Sequence, residues 1–340
     1  MTEKQYGGQT KINRNKGTKA KNIEQPKKTI KILQKRKREN SEKISEMNDE
    51  EKIIEAGKIA SKVKKYAKDI IKKGVPLLEI AEKIEEKIIE FGGKPAFPTN
   101  LGINDVTAHY TPSYDDKTTA SGLLKVDLGV HIDGWIADSA FSVDLENDEE
   151  NKKLIKASEN AVETAIKMIK YQTTLGEIGG AIQNEIESEG FYPITNLSGH
   201  MIKQYELHAG ITIPNVKNSS EIKLEEGIYA IEPFITKGSG KVYDGKPSEI
   251  YLLSNYKNVR SPIAREVLQY IIEEYRTLPF CSRWIVKKFG TKALFGLKEL
   301  ENNGNFHHYN QLIESSHNKV AQSEQTILLK KDKKIITTLS

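Results

Sequence analysis

The sequence predicts an α+β fold built from two related halves that share one sheet. Three observations carry this expectation. Ile80, Ile84, Ile88, Gly92 and Pro95 recur 98 residues later as Ile178, Ile182, Ile186, Gly190 and Pro193, and Thr99-Asn100-Leu101 recurs as Thr195-Asn196-Leu197 after a two-residue slip. In both copies two amphipathic helical patterns precede strand-like segments, as a duplicated unit requires. Between the copies, Asp133-Gly134 is a two-residue turn signal joining two alternating runs, which marks an antiparallel hairpin.

The elements follow in order. Asn48 with Glu51 three residues later makes a capping box. Ile53, Ala56, Ala60, Val63, Ala67 and Ile70 then keep helical spacing up to Gly74 and Pro76. A second helix carries Leu77, Ile80, Ala81, Ile84 and Ile88 and stops at Gly92-Gly93. Pro95 to Leu101 holds too much proline for a central strand. Residues 123–130 and 135–143 read as the hairpin. Helices are expected near 150–170 and 175–188, and strands around 195–200, 228–235 and 249–254. Residues 257–318 read as an inserted helical lobe opened by the Ser261-Pro262 cap. A strand pair at about 320–329 and 334–338 ends the chain.

Charge is unevenly spread. Residues 1–39 hold 13 Lys/Arg against 3 Asp/Glu, a net of +10, whereas the whole chain is +5. So basic and apolar-poor a segment buries too little surface to order itself, so residues 1–47 are expected to be a disordered basic arm ahead of a catalytic domain over 48–340. No apolar run is long enough for a membrane span. The single cysteine, Cys281, excludes an intrachain disulfide and a cysteine-rich zinc site. A cytoplasmic monomer without membrane contact is expected.

Five residues are candidate metal ligands: Asp127 and Asp138 on the hairpin arms, His200 after Ser198-Gly199, Glu232 in Tyr-Ala-Ile-Glu-Pro-Phe, and Glu324 in a run read as a strand. Singly, a strand aspartate is ordinarily just solvated. Carboxylates set among Val, Leu, Ile and Phe are costly to bury unless a cation pairs with them. Four carboxylates with one imidazole make a hard-oxygen set suited to a pair of divalent ions, Co, Mn, Fe or Zn, rather than copper or a structural zinc.

The segments Ala-His109-Tyr-Thr-Pro, Lys-Val-Asp127-Leu-Gly-Val-His-Ile-Asp-Gly-Trp-Ile-Ala-Asp138, Asn-Leu-Ser-Gly-His200, Leu-His208-Ala-Gly and Ile-Glu232-Pro-Phe resemble the type 2 methionine aminopeptidases. The likeness runs from about residue 50 to 330. It implies a pita-bread fold: two duplicated αβ halves around a curved antiparallel sheet, with a helical insertion. It further implies removal of the N-terminal methionine of nascent proteins by hydroxide attack at a dinuclear site. Asp127 then chelates one ion, His200 and Glu232 the other, and Asp138 and Glu324 bridge. Glu232 also moves the proton, His109 and His208 donate hydrogen bonds to the substrate, and Phe97, Leu207, Phe234 and Tyr309 receive the methionine side chain. Taken alone, Phe97, Leu207, Phe234 and Tyr309 also read as plain core packing, and His109 and His208 read more readily as ordinary core or surface histidines. His131, His307, His308 and His317 are assigned no role.

One departure stands out. Where the family shows Gln-Phe-Glu-His-Thr, this chain has Gln322-Ser323-Glu324-Gln325-Thr326. Strand alternation turns both altered neighbours away from the ligand's face. Two rival readings share the fold: an inactive protein that binds RNA, and a proline dipeptidase. The first is disfavoured by the full ligand set, the second by the short polar segment ahead of the domain. The basic arm suits contact with ribosomal RNA.

Overall fold

A computed structural model describes residues 44–339. Of the arm expected over residues 1–47, residues 1–43 lie outside the described residues and 44–46 are helical, and from Met47 onward the chain forms one compact unit. Helix α1 (Asp49–Ile70) opens on the expected box: Asn48 Oδ1 accepts the Glu51 N–H at 3.0 Å and Glu51 Oε2 accepts the Asn48 N–H at 2.8 Å. Helix α2 (Leu77–Glu90) follows, then the edge strand β1 (Lys94–Ile103), the short β2 (Val106–Ala108), and the hairpin β3 (Leu123–Ile132) and β4 (Trp135–Asp144). The second half repeats the start, with α3 (Glu149–Met168) and α4 (Leu175–Ser188). Both ends of α4 fall 98 residues after those of α2, so the repeat seen in sequence is a repeat of elements.

The strands of the second half are β5 (Tyr192–Pro193), β6 (Ser198–Ile202), β7 (Thr212–Pro214), β8 (Gly227–Ile231), β9 (Phe234–Thr236) and β10 (Val242–Leu253). Helix α5 (Pro262–Glu274), strand β11 (Phe280–Cys281) and helices α6 (Ser282–Phe289) and α7 (Ala293–Asn302) come next, before β12 (Phe306–Glu314), β13 (Val320–Gln322), β14 (Gln325–Leu329) and β15 (Lys334–Ile336). The strands pair in the orders β1-β3-β4, β11-β10-β12-β2, β13-β9-β5 and β15-β14-β8-β6-β7. Every pairing between them is antiparallel.

The proline-rich 94–103 segment is not a central strand but an edge one, with register shifts at Pro95/Phe97 and Phe97/Asn100. Three expectations need adjustment. The strand expected over 228–235 is interrupted at Glu232-Pro233, and the one holding Glu324 is interrupted at Ser323-Glu324. The helical part of the 257–318 segment ends at Asn302, since Phe306–Glu314 pairs along β10. The three helices there bury their own core, in which Ala264, Val267, Ile271, Ile285, Leu297 and Leu300 meet Phe280 and Phe306. A buried bidentate pair holds this lobe to the first half: Arg283 Nη1 and Nη2 donate to Glu85 at 2.6 and 2.9 Å, and the Thr99 N–H reaches the same carboxylate at 3.2 Å.

Candidate active site

The hairpin turn sets the first two acids. Asp133 and Gly134 take φ of 49° and 83°, the left-handed pair of a primed turn. The resulting register places Asp138 across from Gly129 and Asp127 across from Ala140. Opposed residues share a face, as do residues two apart, so both carboxylates leave the same side. The second half supplies the rest. His200 lies across from Ala230, which is in turn across from Thr326. The ladders Gln325↔Ile231 and Gln322↔Phe234 keep one register through both strand breaks, so Glu324 stands opposite Glu232.

Hydroxyl groups sew the halves together at this point. Thr326 Oγ1 accepts the Asp138 N–H and donates to the Asp138 carbonyl, both at 2.8 Å. Ser139 Oγ donates to the Glu324 carbonyl at 3.1 Å, and the Glu324 N–H reaches the Ala140 carbonyl at 3.0 Å. Buried Lys64 of α1 donates to Ser139 Oγ at 2.9 Å from behind.

His200 Nε2 ends 3.4 Å from Glu232 Oε1 and 3.6 Å from Asp138 Oδ2. Ligating atoms of Asp138, His200 and Glu324 lie within 4.8 Å of one another. Burial pushes the Asp127 carboxyl up to about 7. Burial, reinforced by the neighbouring carboxylates, holds Asp138, Glu232 and Glu324 well above the usual range. Burial takes His200 down to about 3, leaving a neutral imidazole. Asp127 Oδ1, Asp138 Oδ1 and both Glu324 carboxylate oxygens have no hydrogen-bond partner. Mutually repelling buried acids with orphaned oxygens, beside a neutral imidazole nitrogen, make a donor set that could hold a divalent cation.

A cavity of about 410 Å³ opens over these groups. Its lining includes Asp127, Asp138, His200 and Glu232, the apolar Phe97, Leu207 and Phe234, and His109, His208 and Tyr309. Glu324, 2% exposed, is not part of the lining. Phe97 lies over Gly129, where an added Cβ would meet its ring at 2.3 Å, so glycine there is what lets the phenyl ring occupy the wall. His109 and Tyr309 meet edge-on at 5.1 Å, and His208 meets His200 edge-on at 4.5 Å. His109 adopts φ 60° and its Nδ1 lies 3.2 Å from the Asn310 carbonyl. Burial holds its pKa near 4, so the ring is neutral, Nδ1 carries the proton, and Nε2 is left as an acceptor. In that tautomer the ring nitrogen that faces away from Asn310 is an acceptor, whereas the donor role expected of His109 calls for a proton on it. Asn100, Ile250 and Pro279 also line the cavity and were not singled out as site residues from sequence. Ile250 and Pro279 sit far along the chain and carry no local signal. Asn100 appeared only as a member of the repeated Thr-Asn-Leu.

The profile of metallopeptidase family M24 matches residues 51–262, and the chain belongs to that family, whose members use divalent metal. Its relatives narrow the placement. It is 46% identical over 295 residues to a methionine aminopeptidase of Pyrococcus abyssi, covering 85% of this chain and 99% of that one. It is 45% identical over 296 residues to a methionine aminopeptidase of Methanocaldococcus jannaschii, covering 86% and 99%. Within the metallopeptidases its place is therefore among the methionine aminopeptidases. Solved structures share the pita-bread fold at lower identity. A thermophilic Arx1 superposes with a TM-score of 0.72 at 18% identity, over 84% of this chain and 89% of that. The methionine aminopeptidase of Thermotoga maritima gives 0.62 at 22%, over 85% and 96%. A prolidase of Pyrococcus furiosus gives 0.56 at 19%, over 86% of this chain but 64% of its own.

Proposed function

We propose that this protein is a divalent-metal aminopeptidase that releases the N-terminal methionine of newly made proteins in the cytosol. The observation that carries the reading is the floor of the cavity, where acids from both halves converge on a neutral histidine beneath an apolar wall. Asp127, Asp138, His200, Glu232 and Glu324 are the residues that would hold the metal. The orphaned oxygens support two ions, with Co, Mn, Fe and Zn all compatible with the donors. Ions bound there supply Lewis-acid polarisation of the scissile carbonyl and acidify the attacking water.

The protein's own groups do the remainder. Phe97, Leu207, Phe234 and Tyr309 form a wall suited to an unbranched thioether. Glu232, as the carboxylate, takes the proton of the attacking water and returns it to the leaving amine. His109 Nε2 accepts the scissile amide N–H and fixes the peptide's orientation, and His208 bounds the same space from the His200 side.

Purified protein loaded in turn with each metal should release methionine from Met-Ala-Ser and leave Ala-Pro intact. Cleavage of Ala-Pro alone would assign it to the proline dipeptidases. Absence of any peptide cleavage with metal bound would favour the binding-protein rival.

A further inference from the structure

The duplicated Thr-Asn-Leu places one asparagine in each half at the cavity, Asn100 and Asn196. Their amides are used differently. Asn196 is satisfied on both sides: its Nδ2 donates to the Val242 carbonyl at 2.7 Å and its Oδ1 accepts the Val242 N–H at 2.9 Å. It is a strand tie. Asn100 is 7% exposed, and its Nδ2 donates to the Pro98 carbonyl at 2.9 Å. That bond fixes the amide, because a flipped group would set oxygen against oxygen. Its Oδ1 then has no partner.

The register completes the picture. Asn100 is directly across from Asp127, so the two side chains leave the same face with Cβ atoms roughly 5 Å apart. Asp127 Oδ1 is orphaned as well. Two buried acceptors side by side, with no donor between them, are costly in an empty protein and call for a ligand that brings N–H groups or positive charge. Resting on the aminopeptidase reading, we propose that Asn100 Oδ1 accepts a hydrogen bond from the substrate's N-terminal amino group. An amino group offers more than one N–H, so it can serve Asn100 while facing Asp127. A peptide whose first nitrogen is missing leaves Asn100 Oδ1 buried and unpaired, and one whose first nitrogen is acylated keeps a single N–H and carries no positive charge to set beside Asp127. Asn100 is in this way a specificity residue for a free N-terminus.

The test compares L-methionine with 4-(methylthio)butanoate, which keeps the thioether and carboxylate and lacks the amino group. Dissociation constants for both are measured directly by calorimetry on the metal-loaded wild type and on Asn100→Leu, which keeps the volume and removes the acceptor. Asn100→Ala repeats the measurement should the leucine variant not fold. Affinity for Co²⁺ is measured by calorimetry on the same proteins. The preference for L-methionine should fall about tenfold in the variant, the equivalent of one hydrogen bond, with Co²⁺ affinity unchanged. Equal weakening of both ligands would reduce Asn100 to a packing residue and overturn the proposal. A matching loss of Co²⁺ affinity would make Asn100 a metal ligand and overturn it too. Failure of the wild type to cleave Met-Ala-Ser is a separate outcome that strikes the aminopeptidase reading, since the calorimetric comparison measures binding alone.

Discussion

Thr326 grips the backbone of Asp138 on both sides, taking its N–H and bonding its carbonyl with a single hydroxyl, 2.8 Å each way. The contact joins β14 of the second half to β4 of the first, so one threonine helps set the relative position of the proposed ligands Asp138 and His200, 62 residues apart in sequence. Thr326→Val keeps the shape and removes the hydroxyl. Groups that orient a ligand typically affect metal affinity by about 10–100-fold when lost. Calorimetric Co²⁺ titration should show a drop of that order, and unchanged affinity would mean that the seam does not orient Asp138.

Removing a carboxylate should be more severe. Asp138→Ala and Glu324→Ala should abolish both metal retention after dialysis and release of methionine from Met-Ala-Ser. Asp133→Ala is the contrast. Its carboxylate is about half exposed where it pairs with Lys52 at 2.8 Å, an interaction worth about 1 kcal/mol, and it lies in the turn away from the candidate ligands. Full activity in Asp138→Ala would remove the ground for a metal site at this place.

The two substitutions around Glu324 are accommodated outside the cavity. Ser323 Oγ meets Ser158 Oγ of α3 at 2.7 Å, and Gln325 Oε1 accepts from Thr338 Oγ1 at 2.6 Å. Neither residue lines the cavity. Gln325→His should therefore change turnover by less than about tenfold, the separation expected of alternating side chains. A larger gain, read in the same peptide assay, would identify the native chain as a weakened enzyme.

Proton linkage gives a pH prediction for metal-free protein. Asp127 titrates near 7 when folded and near 4 when unfolded, so the folded state holds the extra proton between those values. Its contribution is fully present below about pH 4 and is lost as pH rises toward 7. Asp138, Glu232 and Glu324 are displaced in the same direction. The gain in Tm on adding Mn²⁺ to EDTA-treated protein should therefore be larger at pH 7.5 than at pH 5. An equal or smaller gain at pH 7.5 would show that these acids are not what the ion relieves.

A last expectation concerns residues 1–39. Lys27-Lys28, Lys31 and Lys35-Arg36-Lys37-Arg38 form a dense basic stretch with no aromatic for base stacking, suited to phosphate rather than to sequence. Deleting 1–39 should leave Met-Ala-Ser cleavage unchanged and weaken co-sedimentation with ribosomes at low salt. The full chain should itself be released at about 0.3–0.5 M salt, where screening shortens to a few ångström. Equal co-sedimentation of both proteins would leave the arm without this role.

The sequence by itself determined whatever depends on local periodicity and turn chemistry. Asn48-x-x-Glu51 marked the start of α1, Asp133-Gly134 fixed the hairpin and with it the shared face of Asp127 and Asp138, and the 98-residue repeat announced two halves. The residue types of the five ligand candidates were legible too, because an acid in an apolar run is anomalous at any fold. Other features were invisible because they arise between distant segments. The edge position that admits the prolines of β1, and the facing of the breaks at Glu232-Pro233 and Ser323-Glu324, are set by strand partners distant in sequence. The acceptor role proposed for His109 rests on the Asn310 carbonyl, 201 residues away. Asn100 and Asn196 read identically in Thr-Asn-Leu, and only packing gave one a partner on each side and left the other with a free oxygen. A motif fixes which atoms a side chain offers; the tertiary structure fixes which of them are already bonded, and the reactive remainder is what that subtraction leaves.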